Sequence, residues 1–227
     1  MIAALLFDFD GLLYDSETSA YEVWRELYAE HDAEFPLALW QAEVMGRPPN
    51  TSSFDPLAHL AELTGAAPDS GETLQRLARR RLQLFPDTLI SGASDLLAAA
   101  RAHDVRTAIV SSNHRENVLA HLARARMPPD FDVIITAEGD PERGKPNPAL
   151  YLEALTALSV DAADAVAFED SPNGIAAAKA AGLYTVAVPN HLTRGAPGLE
   201  HADLTLDSLA QFALADGDPA DVDPAPS

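Results

Sequence analysis

Short apolar, β-branched runs that break off at polar residues recur along this chain, at residues 2–9, 105–110, 133–136, 165–168 and 184–188. Strands covered on both faces read as continuous apolar runs, and a helix between successive strands makes each connection a parallel crossover. Helical spacing fills the gaps at residues 92–102, 115–125, 148–158 and 172–181, the last stopped by Gly182. This rhythm predicts an α/β fold built on a doubly wound parallel sheet, formed by residues 1–15 and 88–215.

Residues 16–87 break the rhythm. Apolar side chains such as Tyr21, Trp24, Leu27 and Tyr28 recur there at helical spacing, and no strand pattern appears. A helical block between the first and second strands predicts an inserted domain over the carboxyl edge of the sheet, where open α/β folds bind ligands. The 227 residues suffice for a core plus such an insertion. The tail 216–227, acidic and proline-rich with nothing to bury, is expected to be disordered.

Charge and composition narrow the function. The formal net charge of −20 repels nucleic acid and anionic membrane faces, so neither is an expected partner. The apolar start is cut at Asp8, too short for a signal-peptide core, and no stretch approaches a membrane span; a cytoplasmic protein is expected. The absence of cysteine excludes thiol catalysis and cysteine-ligated zinc and fits a reducing compartment. None of the seven histidines has clustered ligand spacing. A phosphorylated ligand would need local positive potential from a cation, a lysine or helix N-termini.

Four strand ends carry candidate chemistry. FDFDG places Asp8 and Asp10 two apart, close enough to need a cation or a shared proton, although acidic residues and glycine also form ordinary turns. VSSN brings Ser111, Ser112 and Asn113 to a helix start, where hydroxyl and amide groups can hold phosphate oxygens; Asn113 with Glu116 also matches a capping box. In GKPNP, Asn147 and Pro148 read as N-cap and N1, whereas Lys145 is one of only two lysines against thirteen arginines. FEDSP delivers Glu169 and Asp170, a second acidic pair able to complete an oxygen-rich Mg²⁺ site with Asp8, and Ser171–Pro172 as a helix start.

Asp-x-Asp, then Ser, Lys and Glu-Asp, each near a strand end and in this order, resembles the haloacid dehalogenase superfamily over roughly residues 1–212. The helical block resembles the cap of its phosphatase and β-phosphoglucomutase branch. The resemblance implies a Rossmann-like core and a Mg²⁺-dependent phosphatase acting on a small phosphorylated metabolite such as a sugar phosphate. It implies Asp8 as nucleophile forming an aspartyl-phosphate, Asp10 as general acid and base, and Ser111 and Lys145 as holders of the phosphoryl oxygens. Mg²⁺ would be held by Asp8, the Asp10 backbone carbonyl and Asp170, with Glu169 as a ligand or its support. Ser112, Asn113 and Arg47 are the candidate substrate contacts.

The family's dehalogenases lack an acid at the position of Asp10, which points to phosphate chemistry. A sugar-phosphate mutase is the rival, and a phospho-ligand sensor without turnover is a further alternative. Ala20 stands where the mutase has a cap histidine, Met45 where it has a lysine and Pro49 where it has an arginine, so hydrolysis is favoured. Arg76, Arg79, Arg80 and Arg81 are expected to form a solvated helix face. A monomer is expected, with a homodimer as the alternative.

Overall fold

The structure, a computed structural model, describes residues 1–43, 54–65, 68–128 and 130–214. Strand β1 (Ala4–Phe7) lies between β2 (Arg106–Ser111) and β4 (Ala165–Glu169); β3 (Val133–Thr136) lies outside β2, and β5 (Tyr184–Ala187) and β6 (Leu204–Thr205) lie outside β4. Every pairing is parallel. The chain winds outward from β1 to β3, then crosses back to β4 on the other side of β1. That reversal leaves a crevice beyond the carboxyl ends of β1 and β4. Asp8 follows β1, and Glu169 and Asp170 close β4, so three carboxylates converge there. Phe7 and Phe168 stack across the two strands with ring centroids 5.0 Å apart, fixing the floor of the crevice.

Helices α5 (Ala93–Ala102), α6 (Arg115–Arg124), α7 (Ala149–Leu158) and α8 (Pro172–Ala180) cover the sheet. The two faces differ in grain. Leu5, Phe7, Ile109 and Phe168 pack with Leu97 of α5 and Val118 of α6. The other face offers Ala4, Ala108, Ala165 and Ala167, small side chains on which α7 and the alanine-rich α8 sit. In β4 the alternation is clearest, Ala165 and Ala167 facing one layer and Val166 and Phe168 the other.

Four helices separate β1 from α5: α1 (Ser16–Glu30), α2 (Leu37–Glu43), α3 (Pro56–Thr64) and α4 (Ser70–Leu84), with no strand among the described residues. They enclose an apolar cluster of their own, including Val23, Leu27, Tyr28, Phe35 and Leu60. Their starts are set by acidic caps: Asp15 accepts from the Thr18 amide, Asp55 from Leu57 and Ala58, and Asp69 from Glu72. Leu192, from the loop after β5, packs into this cluster and ties it to the sheet.

The predicted strands and helices match β1–β5 and α5–α8 to within two residues at most ends. Strand β6 was not anticipated, because two residues carry no period. The tail 216–227, Arg47, Met45 and Pro49 lie outside the described residues. No helix among the described residues is long and apolar enough to cross a membrane.

Candidate active site

One carboxylate oxygen from each of Asp8, Glu169 and Asp170 lies within 4.8 Å of the others, and all three residues are buried. Lys145 is buried against them. Its Nζ donates to Asp8 Oδ1, pairs with Glu169 Oε1 at 2.7 Å and donates to the Val110 carbonyl at 2.7 Å. Tyr151 also donates to Glu169 Oε1, leaving Oε2 buried with no hydrogen-bond partner among the described residues. Asp170 Oδ2 accepts from Asn190 Nδ2 at 2.8 Å.

Three carboxylates crowd around one ammonium, and the imbalance shows at Asp8 and Asp170. Burial pushes the Asp8 carboxyl up; Lys145 pulls it down and Glu169 raises it again, leaving it at about 8. Asp170 is raised well above the usual carboxylate range by burial, then by Glu17, Asp8 and Glu169. Burial opposes the charge of Lys145, but Asp8 and Glu169 outweigh it and hold the ammonium above its ordinary value. A buried acidic group of this kind takes up either protons or a hard cation. The all-oxygen donor set, the orphaned Glu169 oxygen and the raised Asp8 and Asp170 together fit Mg²⁺.

Two glycines make the cluster sterically possible. A Cβ on Gly174 would lie 1.8 Å from Glu169 Oε2, so the first turn of α8 can pass the carboxylate only without a side chain. Gly11, at φ +89°, would carry a Cβ 2.4 Å from Asp170 Oδ2. Ser171 caps α8 by accepting from the Gly174 amide, with Pro172 behind it, as its sequence predicts.

Asp10 sits apart, half-buried, with its own partners. Oδ1 accepts from Ser16 Oγ at 2.5 Å; Oδ2 accepts from Ser111 Oγ at 3.2 Å and from Asn113 Nδ2 at 3.1 Å. The Asp10 carboxylate is not among the oxygens gathered around Lys145. Ser111, buried at the end of β2, therefore faces the site. Ser112 Oγ accepts from the Lys145 amide at 3.0 Å and so positions the lysine loop. The predicted capping box fails: His114, not Asn113, is the N-cap of α6, and the Asn113 amide is engaged by Asp10 instead. At Asn147 the predicted cap is also displaced by one: Pro148 is the N-cap of α7, without a side-chain cap bond, and Asn147 Oδ1 accepts from the Ala149 amide just before the helix.

Three further residues escaped the sequence reading. Asn190, at the carboxyl end of β5, bridges Asp170 and the Gly11 carbonyl; its place on the same sheet edge was the available signal. Gly174 reads as an ordinary helix residue. Arg81 corrects the solvated-face expectation: Arg76 and Arg80 do pair with Glu30 and Glu26 at the surface. Arg81 instead turns inward, donating to Ser16 O and Ser19 Oγ at 3.4 Å and lying 5.3 Å over the Phe85 ring. Burial lowers its pKa from the ordinary guanidinium value, while Asp10 and Glu17 pull it part of the way back up.

Residues 2–182 match a family model described as haloacid dehalogenase-like hydrolase. YhcW of Bacillus subtilis (strain 168) is 40% identical over 217 residues, 95% of this chain and 96% of that protein. The validoxylamine A 7'-phosphate phosphatase of Streptomyces hygroscopicus subsp. limoneus is 33% identical, over 93% of this chain and 96% of that one. A crystal structure of a HAD family hydrolase from Deinococcus radiodurans R1, with bound phosphate and sodium, superposes with a TM-score of 0.73 at 32% identity, covering 92% of each chain.

Proposed function

The chain belongs to the haloacid dehalogenase-like hydrolases and is a phosphohydrolase, and on that premise we propose a Mg²⁺-dependent phosphatase of small phosphomonoesters, sugar phosphates foremost. The observation that carries this reading is the separation of two acids at one strand end. Asp8 lies in a buried charged cluster suited to a cation, and Asp10 in a hydrogen-bonded collar suited to proton transfer. That relatives are named validoxylamine A 7'-phosphate phosphatase, hexitol phosphatase B and phosphorylated carbohydrates phosphatase supports the substrate class.

An Asp8 oxygen attacks phosphorus, forming an aspartyl-phosphate as the ester P–O bond breaks; Asp10 gives the leaving oxygen its proton. Asp10 then takes a proton from water, whose oxygen attacks the same phosphorus and releases orthophosphate, restoring Asp8. Lys145 and Ser111 hold the phosphoryl oxygens, and Lys145 offsets charge as it builds in the transition state. Asp8, Glu169 and Asp170, with the Asp10 backbone carbonyl, would hold Mg²⁺, which supplies charge neutralisation at the phosphoryl group. The α1–α4 block, residues 16–87, serves as a cap, with Arg47 of the cap and Ser112 of the core as the proposed substrate contacts. We place the protein in the cytoplasm as a monomer.

The test is phosphate release from p-nitrophenyl phosphate and from a panel of sugar phosphates. Turnover should need Mg²⁺, stop in excess EDTA and return when Mg²⁺ is restored. Full activity in EDTA would remove the metal assignment. Isomerisation of a hexose phosphate primed by a bisphosphate, without net phosphate release, would replace hydrolysis with the mutase reading.

A further inference from the structure

The collar around Asp10 extends outward along α6. Asn113 Nδ2 donates to Asp10 Oδ2 at 3.1 Å, while Asn113 Oδ1 accepts from the His114 amide at 2.8 Å and from Asn117 Nδ2 at 2.8 Å. A carboxylate only accepts and a backbone N–H only donates, so the Asn113 amide can sit one way round. Its NH₂ must face Asp10. Asn117, one helical turn on and exposed to solvent, supplies a second donor that holds this orientation.

The two oxygens of Asp10 are thereby made unequal. Oδ2 faces a side-chain NH₂ that can donate but never accept, and Ser111 Oγ, which already accepts from the Asn113 backbone N–H at 3.0 Å, has its hydrogen free for the same oxygen. Among the described residues Oδ1 is hydrogen-bonded to the Ser16 hydroxyl alone, which can donate or accept. We infer that Asn113 and Asn117 form a positioning relay that pins Asp10 Oδ2 as acceptor and turns Oδ1 toward the leaving oxygen as the proton-carrying atom. Asn113 then acts through Asp10 rather than as a substrate contact. The inference rests on the acid role assigned to Asp10 above.

A positioned acid matters in proportion to the basicity of the leaving oxygen. The quantity kcat/KM reports only the steps up to aspartyl-phosphate formation, so it isolates the proton donation from the later hydrolysis. Phenyl phosphate and 2,4-dinitrophenyl phosphate, similar in shape and far apart in leaving-group basicity, are the probes. In Asn117→Ala, kcat/KM for phenyl phosphate should fall by about tenfold, part of the 10²–10⁴-fold worth of a positioned acid, with less than about a twofold change for the dinitrophenyl ester. Asn113→Ala should show the same asymmetry more strongly, with KM unchanged for both esters. Equal losses on the two esters, a rise in KM as the main effect, or no change in Asn117→Ala would each overturn the relay. Asp10→Asn, assayed alongside, separates the two levels: if it leaves phenyl phosphate turnover intact, the acid role itself fails. If it abolishes that turnover while Asn117→Ala behaves as wild type, only the relay falls.

Discussion

Asp8 and Asp10 stand two residues apart, yet one is embedded in charge and the other in neutral donors. Around Asp8 the partners are an ammonium and two more carboxylates, all buried. Around Asp10 they are two hydroxyls and an amide at a half-open edge. The first environment gathers buried charge around one carboxylate; the second surrounds the other with neutral hydrogen-bond donors. Two identical side chains thus meet different surroundings, and the proposed division of work between them rests on that difference.

The sharpest way to break this contrast is to blunt each acid in turn. Asp8→Asn should lower kcat on p-nitrophenyl phosphate on the order of 10⁴-fold or more and weaken Mg²⁺ binding in calorimetry, with the circular dichroism spectrum unchanged. Asp10→Asn should cost about 10²–10⁴-fold in kcat on sugar phosphates but bind Mg²⁺ as wild type does, since its carbonyl is kept. Identical metal affinities in the two variants would erase the distinction. Gly174→Ala probes the Asp8 side alone: a methyl group driven into Glu169 should destabilise the protein by about 1–3 kcal/mol in urea unfolding and loosen Mg²⁺, without altering the leaving-group dependence. Smallest of all, Arg76→Ala cuts an exposed pair with Glu30 and should leave both activity and the unfolding midpoint within error.

How much of this was legible beforehand follows from the kind of signal each residue carries. The five long strands were readable because burial on both faces forces an unbroken apolar run, and the acids, serine and lysine were readable because they stop those runs on one sheet edge. The helical block announced its class and not its four boundaries, since its caps are single aspartates in polar sequence. Gly174, Asn190 and Arg81 were invisible for a different reason. Their roles arise where separate loops or helices meet: the first turn of α8 against Glu169, the β5 loop against Asp170, and α4 against the start of α1. Asn113 was misread because a capping box and an amide aimed at Asp10 share one sequence, and only the distance to Asp10 separates them.

The pairing of β1 with β4 also governs when the site can exist. Asp8 is made at the start of synthesis, but its ammonium partner lies 137 residues further on and its fellow carboxylates follow later still. Between β1 and β4 the chain must lay down seven α-helices and two strands, counted among the described residues, before β4 can dock beside β1, a pairing of high sequence separation that forms late. A nascent chain therefore holds Asp8 without its buried partners, and an amino-terminal fragment that stops short of β4 lacks Glu169 and Asp170 and is expected to show neither the proposed Mg²⁺ binding nor the proposed turnover.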